Sequence, residues 1–315
     1  MNQPEVRGVM GEELGASIMK ESCRRERHKL PNLLIIGAMK CATTSLHYYL
    51  GLHPDISMSR EKELNFFICE GNWHKGLEWY KSHFTGEAKI HGESSPNYTN
   101  YPFSRGVPER VYSCVPEAKL IYIARDPIDR IISHYIHQYA VRRENRTLSE
   151  VLANPRENPY LFRSKYFMQL EQYLEYFPQC NVLVITQEDL YSHRRETLQK
   201  IFRFLDVDDS FHCQEFSTIR HRSSAKRRKN QIGLSLHRTL NGNIFERFPP
   251  NTRWLFEQLL YLPFSNKIER PVLNEGLTQR LLDYLASDID RISRDCPHVC
   301  RNFADLHRLR PISGK

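Results

Sequence analysis

The sequence predicts an α/β fold: a P-loop-like parallel sheet with helices on both faces and a C-terminal helical appendage. Three apolar runs carry that expectation, at residues 33–36, 120–124 and 181–186. Strands without polar alternation are those buried on both faces, as in parallel sheets covered by crossover helices. Each run is followed by a helix-forming segment, the alternation expected of such a sheet. The first run also enters a short loop bearing lysine and hydroxyls, at the carboxyl end of a strand, where open α/β sheets bind ligands.

In chain order, residues 1–30 read as a polar N-terminal arm, with Arg24, Arg25, Arg27, His28 and Lys29 just before the first strand. Leu33-Leu34-Ile35-Ile36 reads as a central strand closing on Gly37. Residues 44–52 predict the first helix, stopping ahead of His53-Pro54 because the residue before a proline avoids helical backbone. After the second strand, Asp126 suits an N-cap and Pro127 the first helical position. Residues 194–205 predict an amphipathic helix with Leu198, Ile201, Phe202 and Leu205 on one face. Further on the pattern loosens. Phe248-Pro249-Pro250 breaks the chain, residues 252–260 read as helical, and 278–292 place Leu281, Leu282, Leu285 and Ile289 on one side. The expected organisation is the arm, a main domain over 31–265, and a helical extension of it over 266–315.

The 315 residues suffice for a sizeable core, and 26% charged with 40% hydrophobic residues is ordinary for a globular protein. A net charge of +8 favours acidic partners: a phosphorylated nucleotide, an anionic polysaccharide or nucleic acid. No apolar run approaches the roughly 18 residues that would cross a bilayer, and residues 1–30 lack a signal-peptide apolar core. A cytoplasmic protein with no membrane partner is the expectation. Eight cysteines, at positions 23, 41, 69, 114, 180, 213, 296 and 300, show no repeated spacing, so reduced thiols are expected. His134 with His137, and Cys296 with His298 and Cys300, lack an obvious fourth ligand, so no metal is expected.

The chemistry concentrates in Gly37-Ala38-Met39-Lys40-Cys41-Ala42-Thr43-Thr44-Ser45. Backbone N–H groups at a helix start point at an anion, Lys40 supplies positive charge, and Thr43, Thr44 and Ser45 supply hydroxyl donors. This is not a nucleoside-triphosphate loop. In G-x-x-x-x-G-K-[ST] counted from Gly37, the second glycine falls on Ala42 and the lysine on Thr43. Lys40 precedes that position, so the charge projects from a different part of the loop and suits a different phosphate ester.

The loop resembles the 5′-phosphosulfate loop of sulfotransferases that use 3′-phosphoadenosine-5′-phosphosulfate, in particular the heparan sulfate N- and 3-O-sulfotransferases and their bacterial relatives. Lys62-Glu63-Leu64-Asn65-Phe66-Phe67 resembles that family's E-x-x-F-F strand, and His74-Lys75-Gly76-Leu77-Glu78-Trp79-Tyr80 its H-x-G-x-x-W-Y turn and helix. Glu93-Ser94-Ser95-Pro96-Asn97-Tyr98 resembles E-K-[ST]-P-x-Y. Val107-Pro108-Glu109-Arg110-Val111-Tyr112 and Leu120-Ile121-Tyr122-Ile123-Ala124-Arg125-Asp126-Pro127 follow in the family's order. The resemblance spans roughly residues 31–230.

It implies sulfuryl transfer from that donor to a hydroxyl or amine, releasing adenosine 3′,5′-bisphosphate without a required metal. Lys40 and Glu63 are then the catalytic residues, the first stabilising the leaving phosphate and the second deprotonating the acceptor. Phe66 and Phe67 are expected to bury the strand end and hold Glu63 beside a cleft. Nucleotide contacts are implied for Lys40, Cys41, Ala42, Thr43, Thr44 and Ser45, for Arg125 and Ser133 at the 3′-phosphate, and for a basic loop containing Lys226, Arg227 and Arg228. Acceptor contacts are implied for Tyr98, Arg163, Tyr166 and Gln169, with His74 and Lys75 near the cleft mouth. Asn65 stands where the 3-O-sulfotransferases carry histidine, a departure that weakens any transfer of their acceptor preference.

Two other readings stay open. One is a P-loop nucleotide kinase, opposed by the missing Walker lysine. The other is a non-catalytic polyanion-binding protein, resting on the net charge and residues 226–229. The expected acceptor is a small hydroxylated or amine-bearing metabolite, with a glycan as alternative and no nucleic-acid partner. The oligomeric state is not legible.

Overall fold

The computed structural model describes residues 30–217, 227–240 and 260–300. The expected arm up to residue 29, the basic-loop residue Lys226, the break at 248–250 and the helical stretch up to residue 259 lie outside the described residues.

Five strands form one parallel sheet: β1 (Leu33–Gly37), β2 (Ile56–Met58), β3 (Ile90–Ser94), β4 (Lys119–Ala124) and β5 (Val182–Thr186), in the order β2-β3-β1-β4-β5. β1 is central and all its residues are buried, which is why its sequence has no polar position. Leu34 lies opposite Glu93 of β3 on one side, and Ile35 opposite Ile121 of β4 on the other. Being parallel neighbours, β3, β1 and β4 open their carboxyl ends on the same edge of the sheet.

Helices follow the strands. α1 (Thr43–Leu50) comes after β1, then α2 (Gly76–Lys81) and α3 (Val107–Cys114). After β4 come α4 (Pro127–Ala140), α5 (Leu148–Leu152), α6 (Pro159–Phe162) and α7 (Tyr166–Leu174). α8 (Gln187–Ser192) and α9 (Arg194–Leu205) follow β5. Asp126 caps α4 as its sequence suggests, accepting the N–H of Ile128 at 3.0 Å and of Asp129 at 3.2 Å. Such a cap is worth about 1 kcal/mol. The predicted apolar face of α9 is buried at Leu198, Ile201, Phe202 and Leu205.

The later segments are β6 (Arg227–Lys229), α10 (Gln231–Leu240), β7 (Ser265–Lys267), α11 (Glu275–Asp295) and α12 (Pro297–Cys300). α11 packs Leu277, Leu281, Leu282, Leu285 and Ile289 into one cluster with Ile128, Ile131, Ile132 and Ile136 of α4. At about 1.5–3 kcal/mol per buried side chain, this seam fastens the C-terminal helix firmly to the sheet domain. Asp288 adds a polar tie, accepting the N–H groups of Phe167 at 3.0 Å and Met168 at 2.8 Å at the start of α7.

Expectation and structure part in several places. Residues 62–67 are not a strand, because Glu63 (φ 64°) and Asn65 (φ 47°) hold left-handed backbone that interrupts any extended run. The first helix ends at Leu50, where the Gly51 N–H bonds back to His47 O at 3.2 Å and the chain turns. The helix expected at 278–292 begins earlier, at Glu275, since the Asn274 side chain caps it by accepting the Leu277 N–H at 2.8 Å. Arg227–Lys229 pair antiparallel with β7 instead of forming a loop. Cys114 is disulfide-bonded, which corrects the expectation of reduced thiols, whereas Cys41, Cys69, Cys180 and Cys213 are free. Among the described residues no helix is long and apolar enough to cross a membrane.

Candidate active site

The site grows from the end of β1. A Cβ on Gly37 would fall 2.2 Å from Thr99 Oγ1 and 2.6 Å from the Tyr122 ring, so only glycine lets the strand end sit against them. The loop then takes left-handed backbone at Lys40 (φ 73°) and Ala42 (φ 64°). Cys41 turns inward and is fully buried, and that burial pushes its thiol up to about 12. It is therefore a neutral packing group, not a nucleophile. Lys40, Ala42 and Thr44 stay half-buried on the outer side, while Thr43 and Ser45 are buried.

Ala42 occupies the N-cap of α1, supplies no side-chain acceptor, and is followed by no acidic residue in the first turn. The first N–H groups of a helix have no partner within it. With no cap and no carboxylate present, the start of α1 favours an external anion.

Arg125 follows β4. Its Nη2 donates to Asp129 Oδ2 at 3.0 Å, and its Nε is buried with no hydrogen-bond partner. Ser133 lies buried on α4, two turns further on. Tyr166 donates its hydroxyl to Arg125 O at 2.6 Å, so this acceptor candidate is buried and fixes the end of β4.

Glu63 lies beside the end of β3. Its N–H donates to Ser94 O at 2.9 Å, and its half-exposed carboxylate lies 2.7 Å from Lys62 Nζ. Phe66 and Phe67 are fully buried, with Phe66 stacked on Tyr80 at 4.2 Å between centroids. The Asn65 side chain donates to Glu63 O at 2.8 Å and accepts from Asn97 Nδ2 at 3.2 Å.

Arg163 ties this loop to the first one. Its Nε donates to Asn100 Oδ1 at 2.7 Å, and its Nη1 lies 3.0 Å from Asn97 Oδ1 and 2.9 Å from Met39 Sδ. Burial pulls its pKa down to about 10, so it remains charged at neutral pH.

The other candidates sit elsewhere. Tyr98 is buried, with its hydroxyl on Glu93 Oε1 at 2.6 Å, and Gln169 holds both backbone groups of Tyr101 at 2.8 Å. His74 and Lys75 are exposed in a short 3-10 turn, Lys75 Nζ lying 4.4 Å above the Trp79 ring. Arg227 Nε donates to Ser265 Oγ at 2.9 Å. Arg228 donates to Asn145 Oδ1 at 2.6 Å and stacks 3.7 Å over Tyr139, near the C-terminal end of α4.

Sequence reasoning missed Arg130 on α4 and the burial of its neighbour His134, which it weighed only as a metal ligand. Arg130 is fully buried, donates through Nε to Ser164 Oγ at 2.6 Å and through Nη2 to Tyr160 O, and leaves Nη1 unpartnered. Burial, with Arg130 and Arg163 nearby, drives His134 well below the usual imidazole range, so it is neutral. Their signal was spacing: Asp126, Arg130 and His134 fall at four-residue intervals, on one helix face. Among the described residues no group of histidine, cysteine, aspartate and glutamate side chains could hold a metal.

Comparison with known proteins gives the family of the domain. The sulfotransferase domain model matches residues 30–244. The human bifunctional heparan sulfate N-deacetylase/N-sulfotransferase 2 is 29% identical over 222 residues, covering 60% of this chain and 25% of that protein. The mouse bifunctional heparan sulfate N-deacetylase/N-sulfotransferase 4 is 31% identical over 235 residues, covering 64% and 26%. The chain thus spans about a quarter of the length of these curated relatives. The crystal structure of a sulfotransferase from Alicyclobacillus acidocaldarius shares the fold, with a TM-score of 0.61 at 24% identity over 84% of this chain and 94% of that one. The match of the sulfotransferase domain over residues 30–244, more than half of the chain, places this chain in the sulfotransferase family.

Proposed function

We propose that the protein transfers a sulfuryl group from 3′-phosphoadenosine-5′-phosphosulfate to a hydroxyl or amine, releasing adenosine 3′,5′-bisphosphate. One observation carries this reading: the adjacent parallel strands β1 and β4 lead into Lys40 and Arg125 at one edge of the sheet, and the segment after β2 brings Glu63 to the same edge, its N–H on Ser94 O at the end of β3. The residues present fit the donor. The uncapped start of α1 suits its phosphosulfate, and the buried, unpartnered Nε of Arg125 suits a second phosphate.

In the transfer, the bond between sulfur and the bridging phosphate oxygen breaks as the acceptor atom bonds to sulfur. Lys40 neutralises charge gathering on that oxygen, in the manner of lysines in phosphoryl transfer. Glu63 takes the acceptor's proton, and Lys62 at 2.7 Å holds the carboxylate. Arg163 keeps the loops bearing Met39 and Asn97 in fixed relation, which serves alignment of the two reactants.

For the acceptor, the mouse and human relatives carry the name of heparan sulfate N-sulfotransfer, which favours an amine-bearing glycan. A small hydroxylated or amine-bearing metabolite is the other class, and an assay has to include both. Mass spectrometry of products, with the donor and an acceptor panel in the presence of a chelator, tests the reading. Sulfated product and bisphosphate are expected in equal amounts, and Lys40→Ala and Glu63→Gln each reduce turnover about a hundredfold or more. Phosphorylated product formed only with ATP and magnesium would contradict it.

A further inference from the structure

Glu93 is fully buried near the carboxyl end of β3, and three hydroxyls converge on its carboxylate. Tyr80 and Tyr98 donate to Oε1 at 2.7 and 2.6 Å, and Ser95 donates to Oε2 at 2.9 Å. Two of these hydroxyls also face the loop that carries Glu63. Ser95 Oγ accepts the Asn65 N–H at 3.0 Å, and the Tyr98 oxygen accepts the Phe66 N–H at 3.1 Å.

The polarity of this network is forced. An amide N–H can only donate, so each hydroxyl oxygen accepts it and has its own proton left for Glu93. A carboxylate with its charge accepts on both oxygens and donates on neither, so it holds both hydroxyls with their lone pairs turned to the loop. The Glu63 N–H adds a third tie, to Ser94 O at 2.9 Å on the same strand end. These ties matter because Glu63 and Asn65 hold left-handed backbone at φ 64° and 47°, which non-glycine residues keep only where the surroundings impose it.

We propose that Glu93 is a positioning residue for Glu63, acting through the Ser95 and Tyr98 hydroxyls on the backbone of residues 63–67. The proposal rests on the reading of Glu63 as the base. It assigns a role in the reaction to a carboxylate that touches neither reactant.

Glu93→Gln tests it. The carboxamide has the same shape, but one of its two ends is a donor, so it cannot accept from both sides, and one hydroxyl loses the acceptor that orients its lone pair on the loop amide. Hydrogen exchange at residues 65 and 66 is expected to accelerate, and kcat to fall roughly 10- to 100-fold with the donor's KM unchanged. In a Glu63→Gln background the same change should cost less than about twofold, because the group being positioned is gone. Ser95→Ala and Tyr98→Phe, which remove one hydroxyl each and leave no new charge, provide the same readouts if Glu93→Gln fails to fold. Unchanged exchange overturns the proposal, as does an equal loss of turnover in both backgrounds. Wild-type turnover in Glu63→Gln alone overturns the base assignment instead, and the exchange result separates that failure from this one.

Discussion

The Lys62 ammonium stands 2.7 Å from the Glu63 carboxylate, on a loop whose backbone is held from the neighbouring strand. Glu63 is half-exposed, and an ion pair of that exposure contributes at most about 1 kcal/mol to stability. Its effect belongs to orientation, since a carboxylate with a fixed partner presents one oxygen to the cleft. Lys62→Met should therefore reduce kcat about tenfold while thermal unfolding shifts by only a few degrees or less. Paired turnover and melting measurements check this, and a large melting shift with intact turnover would reverse the assignment.

Asp288 predicts a pH effect of definite sign. Burial raises its pKa from 3.8 to about 6, although it accepts two amides of α7. The folded state then binds more protons than the unfolded state between those values, so stability falls as pH rises through that window. The shift corresponds to roughly 3 kcal/mol, fully present below the unfolded pKa and lost above the folded one. Asp288→Asn should flatten this part of the curve, as read from urea unfolding at a series of pH values. An unchanged slope would mean that Asp288 does not titrate in this window.

Cys41 lies in the middle of the loop proposed to bind the phosphosulfate, yet its thiol is buried and pushed up to about 12. A thiol-alkylating reagent applied to the folded protein should label exposed Cys69 and Cys180 and leave Cys41 intact. Peptide mapping reads the sites. Rapid labelling of Cys41 with loss of bisphosphate binding would show that the loop opens far more than this packing allows.

The legible parts of the fold were those written in local pattern. The run at 33–36 is uniformly apolar because both faces of β1 are covered, and Asp126-Pro127 starts α4 through a cap that needs only neighbouring residues. The loop at Lys40 was readable for the same reason, since strand, lysine and hydroxyls are contiguous. The backbone of Glu63 was not. Its left-handed turn is imposed by Ser94, Ser95 and Tyr98, about thirty residues away in sequence, and a motif written as a strand concealed it. Arg130 escaped notice, and His134 was weighed only as a metal ligand, because burial on one helix face has no sequence signature beyond spacing. β6 was hidden too, as its pairing partner Ser265–Lys267 is remote and polar.

The central claim is that the start of α1 and Arg125 form one site for a nucleotide with phosphates at two positions. Titration calorimetry without metal, comparing adenosine 3′,5′-bisphosphate with ATP on wild type and Arg125→Ala, tests it most directly. The account predicts tight binding of the bisphosphate, weaker binding of ATP, and at least about a tenfold loss of bisphosphate affinity in the variant. Preference for ATP, or bisphosphate binding unaffected by Arg125→Ala, would contradict it.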